Sequence, residues 1–402
     1  MLSKYVHLFI IILSISYTPL WCEDTAITLS YLEKERGKNQ AFEKAYKAAL
    51  EIRKISQKIL SKDEAAHIAW FIETKLPQEI HHGNDFFECS NTQLAFPIEY
   101  DPKSKLTFIH LGSHKEGSIG KGKCKIVTKS ILYHPEHPEL VANCEAESSL
   151  KHEIVATKLL ASKPGIFHVY AITQHKKDKK THTSILCKLY NRGSLERFIK
   201  RHGSSLTLQE KMHMALNVLE GLRHIHESGF VHRDLGTRNY LVNVSHDPKT
   251  KKRVIDAVIA DLGRTLPLED AVAKVAQGNS SYTPPEGLEI ERLMAKDYCA
   301  IDIYALGCAL FRLQYPKQEV PHFPVKQCIK EGKGTSQLKK KFVKTLRDFL
   351  EEKQTQLSHK KSDSQQAEFE KLILKMVHYD PQCRGNAQEL TSQLKKIMSK
   401  EV

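Results

Sequence analysis

Over residues 30–80 apolar positions recur every three to four residues. Phe42, Ala45, Ala49, Ile52, Ile55 and Ile59 fall on one stripe, with Lys and Glu elsewhere. That period predicts an amphipathic helix. A second helix over 63–76 is stopped by Pro77, whose ring and missing N–H break helices. The pair reads as a helical hairpin that packs and carries no chemistry. After Pro102 the pattern shortens to the runs LTFIHLG, CKIVTKSIL, IFHVYAI and SILCKLY, separated by Gly, Lys and His turns. These predict strands, with a helical stretch over 141–161 between the second and third. From Leu206 onward helices dominate, interrupted by strands near 240–244 and 254–260 that a basic surface loop, SHDPKTKK, connects. The expected fold class is α+β: a small β-rich lobe with one helix, then a larger helical lobe, preceded by a helical extension.

The first 22 residues follow another pattern, with Lys4 ahead of a continuous apolar stretch over 8–13 and then a less apolar run to Cys22. This is the layout of a secretory signal peptide. The apolar core is shorter than the ~20 residues a membrane span needs. Cleavage after Cys22 is expected, with an uncleaved anchor as the alternative and no integral span once the segment is removed. The nine cysteines are scattered without a CxxC pair, which favours free, mostly buried thiols over a disulfide framework.

Composition narrows the picture further. The 402 residues suffice for two or three units, and 41% apolar with 27% charged residues excludes wholesale disorder and a multi-span membrane protein. The net charge of +14 is mostly dispersed Lys, with short runs at 176–180 and 339–341. No run has the interleaved aromatics of a stacking platform, so no nucleic-acid partner is expected.

The chemistry concentrates in VHRDLGTRNYL, residues 231–241, where His232, Arg233, Asp234, Leu235 and Asn239 satisfy H-R-D-L-x-x-x-N. Five fixed residues coincide in about 1 in 10,000 unrelated chains of this size. Asp261 follows Asp234 by 27 residues within Ala-Asp-Leu-Gly, and Pro285-Glu286 follows within TPPEG.

With these motifs the chain resembles the eukaryotic-type protein kinases, over roughly residues 104–398. Gly193-Ser194-Leu195 resembles the segment after the interlobe hinge, which makes Lys188–Tyr190 the hinge and Cys187 the gatekeeper. Asp302 in AIDIYALG takes the position that braces the catalytic loop, and Arg384 in DPQCRGNAQEL the position that pairs with Glu286. The resemblance implies a bilobal kinase fold organised as 1–22 signal peptide, 23–103 helical extension and 104–399 kinase domain, with lobes at 104–187 and 188–399. It implies ATP and Mg²⁺ as cofactors and a protein substrate. Phosphoryl transfer has a loose transition state, so the protein mainly positions groups and neutralises charge. Asp234 would accept the substrate hydroxyl proton, while Asn239 and Asp261 would hold Mg²⁺. Arg233 would bind a phosphorylated activation loop, with Thr265, Ser280 and Ser281 as candidate sites.

On the nucleotide side, the resemblance places the glycine loop at Gly112 and Gly117, with His114 at the middle glycine and Ile119 after it. The phosphate-anchoring lysine is read as Lys129, with Lys125 as the alternative. Its ion-pair partner is read as Glu153, which puts Thr157 at an apolar spine position. Val127 and Leu241 would cover the two adenine faces, with Lys188 and Tyr190 at the hinge. Arg238 before Asn239 resembles the tyrosine-kinase loop. The run 278–286 resembles Ser/Thr kinases, so the balance favours Ser/Thr slightly, with Tyr as the alternative. A pseudokinase acting as a binding module is the competing reading. Export together with ATP-dependent chemistry suggests a bacterial effector delivered to a host cell.

Overall fold

The computed structural model describes residues 98–101, 106–111, 118–121, 125–133, 139–146, 151–177, 180–272, 282–288, 295–322, 335–359 and 364–400. The expected signal segment, the helical hairpin and the 112–117 loop with Gly112 and Gly117 lie outside the described residues. Those described divide into two compact units.

The first unit is an antiparallel sheet of β1 (Ile98–Asp101), β2 (Leu106–Leu111), β3 (Ser118–Lys121), β4 (Ile126–Tyr133), β5 (Glu139–Ala146), β6 (Val169–Lys177) and β7 (Lys180–Lys188). Its strand order is β1-β2-β4-β5-β7-β6, with β3 also on β4. Leu132, Val141, Ala171 and Leu186 form a core on one face, with Tyr170 against it. Strand β5 corrects the helical reading of 141–161, because the chain is extended through Ala146 and helix α1 begins only at Lys151 (Lys151–Leu160). Both edges of β5 are paired, with β4 on one side and β7 on the other. Val141, Ala142 and Ala146 are buried, and a short apolar run of this kind has no alternation to separate strand from helix.

Strands β2 and β3 lie end to end along β4, with Leu111 opposite Lys129 and Ser118 opposite Thr128. Lys121 at the end of β3 is opposite Ile126 at the start of β4. Ile119 sits in the irregularity between Ser118 and Gly120.

The second unit holds α1 and everything described from Tyr190 onward. Its elements are β8 (Gly193–Ser194), α2 (Leu195–His202), α3 (Leu208–Glu227), β9 (Phe230–Val231), β10 (Tyr240–His246), β11 (Arg253–Ile259), β12 (Leu266–Pro267), α4 (Leu268–Val272), α5 (Ala295–Gln314), α6 (Thr335–Ser358), α7 (Gln365–Met376) and α8 (Ala387–Met398). Helix α3 starts where Thr207 and Glu210 cap each other's N–H groups, and Asn386 with Glu389 does the same for α8. Helix α5 is apolar nearly all round, burying Ile303, Tyr304, Leu306, Leu310 and Phe311, as a central helix must. A Cβ on Gly221 of α3 would come within 2.3 Å of the Gly165 carbonyl oxygen. Only glycine lets the 161–168 connection pass this close to α3. Among the described residues no helix is long and apolar enough to cross a membrane. Among the described residues Cys144, Cys187, Cys299, Cys308 and Cys383 are in no disulfide.

On α3, His213 Nε2 lies 3.1 Å from Asp256 Oδ1, and Asn217 Nδ2 donates to the same oxygen at 3.1 Å. The hydrogen bond to Asp256 raises the His213 pKa above its ordinary value, against the effect of burial. A raised folded-state pKa adds stability that is complete below the unfolded value of about 6.5 and fades as pH rises through the folded value. Both groups are about two-fifths exposed, so the pair should contribute only about 0.2–1 kcal/mol. The expected result is a stability difference between the parent and Asp256→Asn that is larger at pH 5.5 than at pH 8. Urea unfolding at the two pH values measures it.

Candidate active site

The loop between β9 and β10 takes its shape from one carboxylate of α5. Asp302, 1% exposed, accepts the backbone N–H of His232 at 2.7 Å and that of Arg233 at 2.9 Å, and its Oδ2 lies 3.1 Å from His226 Nε2. Two anchored amides hold Arg233 at φ 67°, a left-handed conformation that costs a side-chain-bearing residue about 1–2 kcal/mol. His232 Nε2 donates to the Ala260 carbonyl at 3.2 Å while its Nδ1 accepts the Asp234 N–H at 3.3 Å. This pattern assigns the ring proton to Nε2.

Asp234 and Asn239 are drawn together within the loop, since Asn239 Nδ2 donates to the Asp234 carbonyl at 2.6 Å. Ala260 N–H donates to the Asn239 carbonyl at 2.8 Å, and Tyr240 pairs with Ile259. The β10–β11 ladder therefore sets Asn239 and Asp261 at the same end of one hairpin. Asp261 is exposed, with φ 58° and ψ 68°, a second strained residue at this end. Amide and carboxylate oxygens suit Mg²⁺, a hard ion that takes one or two carboxylates and fills its shell with water and phosphate oxygens. Among the described residues no group of three or more His, Cys, Asp and Glu could hold a metal ion.

The Asp234 carboxyl is pushed above its ordinary range by burial, pulled down by the Arg264 charge, and pushed up by Asp261. Arg264 Nε stands 3.4 Å from Asp234 Oδ2. This contact was not anticipated, although Arg264 directly follows the Asp-Leu-Gly motif. Arg233 Cζ lies 6.0 Å from the Tyr298 ring centroid. Thr265 is fully buried and leads into β12, which removes it from the candidate phosphorylation sites. Ser280 and Ser281 lie outside the described residues.

On the substrate side, Thr237 Oγ1 and the Tyr282 hydroxyl are 2.8 Å apart, and a Cβ at Gly236 would come 3.1 Å from the Tyr282 ring. The ring fills the space that a side chain at 236 would need. Arg238 lines a cavity of about 250 Å³ together with Glu196, Tyr282, Arg312 and Glu319, with its Nε 3.9 Å from Glu196. Glu286 and Arg384 meet as expected. Both guanidinium Nη atoms donate to the carboxylate, Nη2 at 3.0 Å, and Cζ lies 4.9 Å from the Tyr304 ring centroid.

The nucleotide-side residues are distributed as follows. Lys129 stands in β4 opposite Leu111 and Ala142, one strand away from β5, which leads to α1. Val127 is opposite Cys144 of β5. Cys187 and Lys188 end β7. Buried Tyr190 accepts the His168 N–H on its hydroxyl at 3.0 Å. Leu241 on β10 pairs with Ser194. Glu153 and Thr157 are buried on α1.

A β-sheet unit, a larger helical unit and this braced Asp-x₄-Asn loop followed by Asp261 define a protein-kinase domain. The sequence model of the protein kinase domain matches residues 113–394, and the chain belongs to that family. Among curated proteins, it is 26% identical over 289 residues to mouse serine/threonine-protein kinase 16, covering 67% of this chain and 80% of the relative. It is 22% identical over 237 residues to serine/threonine/tyrosine-protein kinase HT1 of Arabidopsis thaliana, covering 58% of this chain and 49% of that protein. It is 23% identical to chicken ephrin type-A receptor 5 over 178 residues, 42% of this chain and 16% of the receptor.

Proposed function

We propose that the chain is an active protein kinase that transfers the γ-phosphate of ATP to protein hydroxyls, with Ser and Thr favoured. The observation that carries this reading is the Asp234 loop, with two amides anchored on Asp302 and Asn239 held against Asp234. Asp234 orients the acceptor hydroxyl and takes its proton as the bond to phosphorus forms. Asn239 and Asp261 would hold Mg²⁺, which would supply neutralisation of the charge that develops on the phosphates. The name of the mouse relative, serine/threonine-protein kinase 16, supports the Ser/Thr preference. The apolar start of the chain supports export, which proteolytic mapping of the mature N-terminus from a secreting culture would test.

A pseudokinase is the second reading. It draws on Arg264, which already pairs with the Asp234 carboxylate, and on β5, ELVANCEA, which holds no lysine. Incubating the full chain with Mg-ATP and a mixed Ser/Thr/Tyr peptide library, then reading phosphopeptides by mass spectrometry, separates the two. Phosphate on hydroxyl side chains is the expected result. Its absence across several divalent cations would favour the pseudokinase.

A further inference from the structure

Kinases place the phosphate-binding lysine on the strand before the first helix, in a Val-Ala-x-Lys run. In this chain that strand is β5, which pairs with β7 and leads into α1. Its matching run is Val141-Ala142-Asn143-Cys144, and no residue of β5 is Lys or Arg. A thiol stands where the ammonium is required.

The sheet register shows where a replacement charge can come from. Val127 of β4 is opposite Cys144, and Cys144 is opposite Ile185 of β7, while Ala142 is opposite Cys187. Side chains alternate along a strand, so Val127, Ala142, Cys144, Ile185 and Cys187 share one face. Lys125 lies two residues before Val127, directly ahead of β4, so the same alternation carried one residue back assigns it to that face too. Its charge acts there. The Cys187 thiol is pushed well up by its hydrogen bond to Cys144 and by burial, and the Lys125 ammonium pulls it the other way. The Lys125 charge is therefore felt at the Cys144–Cys187 sulfur pair. Lys129 is four residues further along the chain, roughly 13 Å from Lys125 at 3.3 Å per residue.

We propose that Lys125, entering from the start of β4, supplies the positive charge that holds the nucleotide phosphates, in place of the side chain missing at Cys144. The proposal rests on the nucleotide-binding reading above. No bond is made or broken by Lys125.

The test is calorimetric titration of the full chain with Mg-ATP and, separately, adenosine, which has the base and sugar but no phosphate. Lys125→Met should weaken ATP binding about tenfold to a hundredfold, the range of a lost charge-assisted hydrogen bond, and leave adenosine binding unchanged. Adding Cys144→Lys to Lys125→Met should restore most of the ATP affinity by returning the ammonium from β5. Equal ATP affinity in the parent and Lys125→Met would overturn the proposal, as would a loss seen with Lys129→Met instead. If the parent binds neither ATP nor adenosine, the active-kinase reading fails and the proposal with it. Unchanged adenosine affinity in each variant also guards against misfolding as the cause of a loss.

Discussion

Asp234→Asn is expected to remove phosphotransfer by about 10²–10⁴-fold, the usual contribution of a positioned general base, while nucleotide affinity stays within about twofold. The amide matches the carboxylate in shape and occupies the same place, but it cannot take a proton from the incoming hydroxyl. The loop should hold, because its shape comes from Asp302 and not from Asp234: the anchored groups are the amides of His232 and Arg233. Burial already opposes the charged form of Asp234, so a neutral isostere relieves that cost. The pair lost to Arg264 is partly exposed and worth about 0–1 kcal/mol. Parallel phosphopeptide assays, calorimetry and thermal melts would check all three statements. More than a tenth of parental turnover in the variant would exclude Asp234 as the base.

Arg384→Met should be the most destabilising single change in the helical unit, with a loss of about 3–5 kcal/mol. Arg384 is fully buried. Besides Glu286, its guanidinium donates to the carbonyls of His378 at 2.7 Å, Ala300 at 3.0 Å and Tyr379 at 3.4 Å. Removing it leaves a largely buried carboxylate without its cation and three carbonyls without this donor. Breaking a buried pair from one side is far costlier than replacing both partners. Arg384→Lys should recover little, because an ammonium lacks the planar fork that serves two carboxylate oxygens. Arg384→Met combined with Glu286→Leu should regain a substantial part of the loss. Urea unfolding of the four proteins measures the set, and a loss below about 1 kcal/mol in Arg384→Met would contradict the account. Activity should fall along with stability, since Glu286 opens the turn that follows Tyr282.

The large-unit site was legible along the chain because its parts are short and contiguous. His232, Asp234 and Asn239 lie within one run of eight residues, and Asp302, Glu286 and Arg384 each sit in a recognisable run. The partnerships Asp302–His232 and Arg384–Glu286, 70 and 98 residues apart, were inferred through the resemblance and are met in the fold. Arg264 was overlooked because nothing in its neighbourhood announces that its side chain turns back onto Asp234.

The sheet unit was harder to read, for a physical reason. Residues 139–146 form a central strand whose stability comes from neighbours on both sides, not from any local alternation, so an apolar run before a helix was read as part of that helix. The glycine loop read at 112–117 lies outside the described residues, and Lys129 stands on β4, the strand paired with β5. Local spacing was enough to reveal a kinase-type loop, because its residues form one contiguous run. Which strand precedes α1, and that a cysteine stands where a lysine is expected, follow from long-range pairing. Hydrogen bonds between segments distant in the chain set that pairing, and spacing within one segment does not encode it.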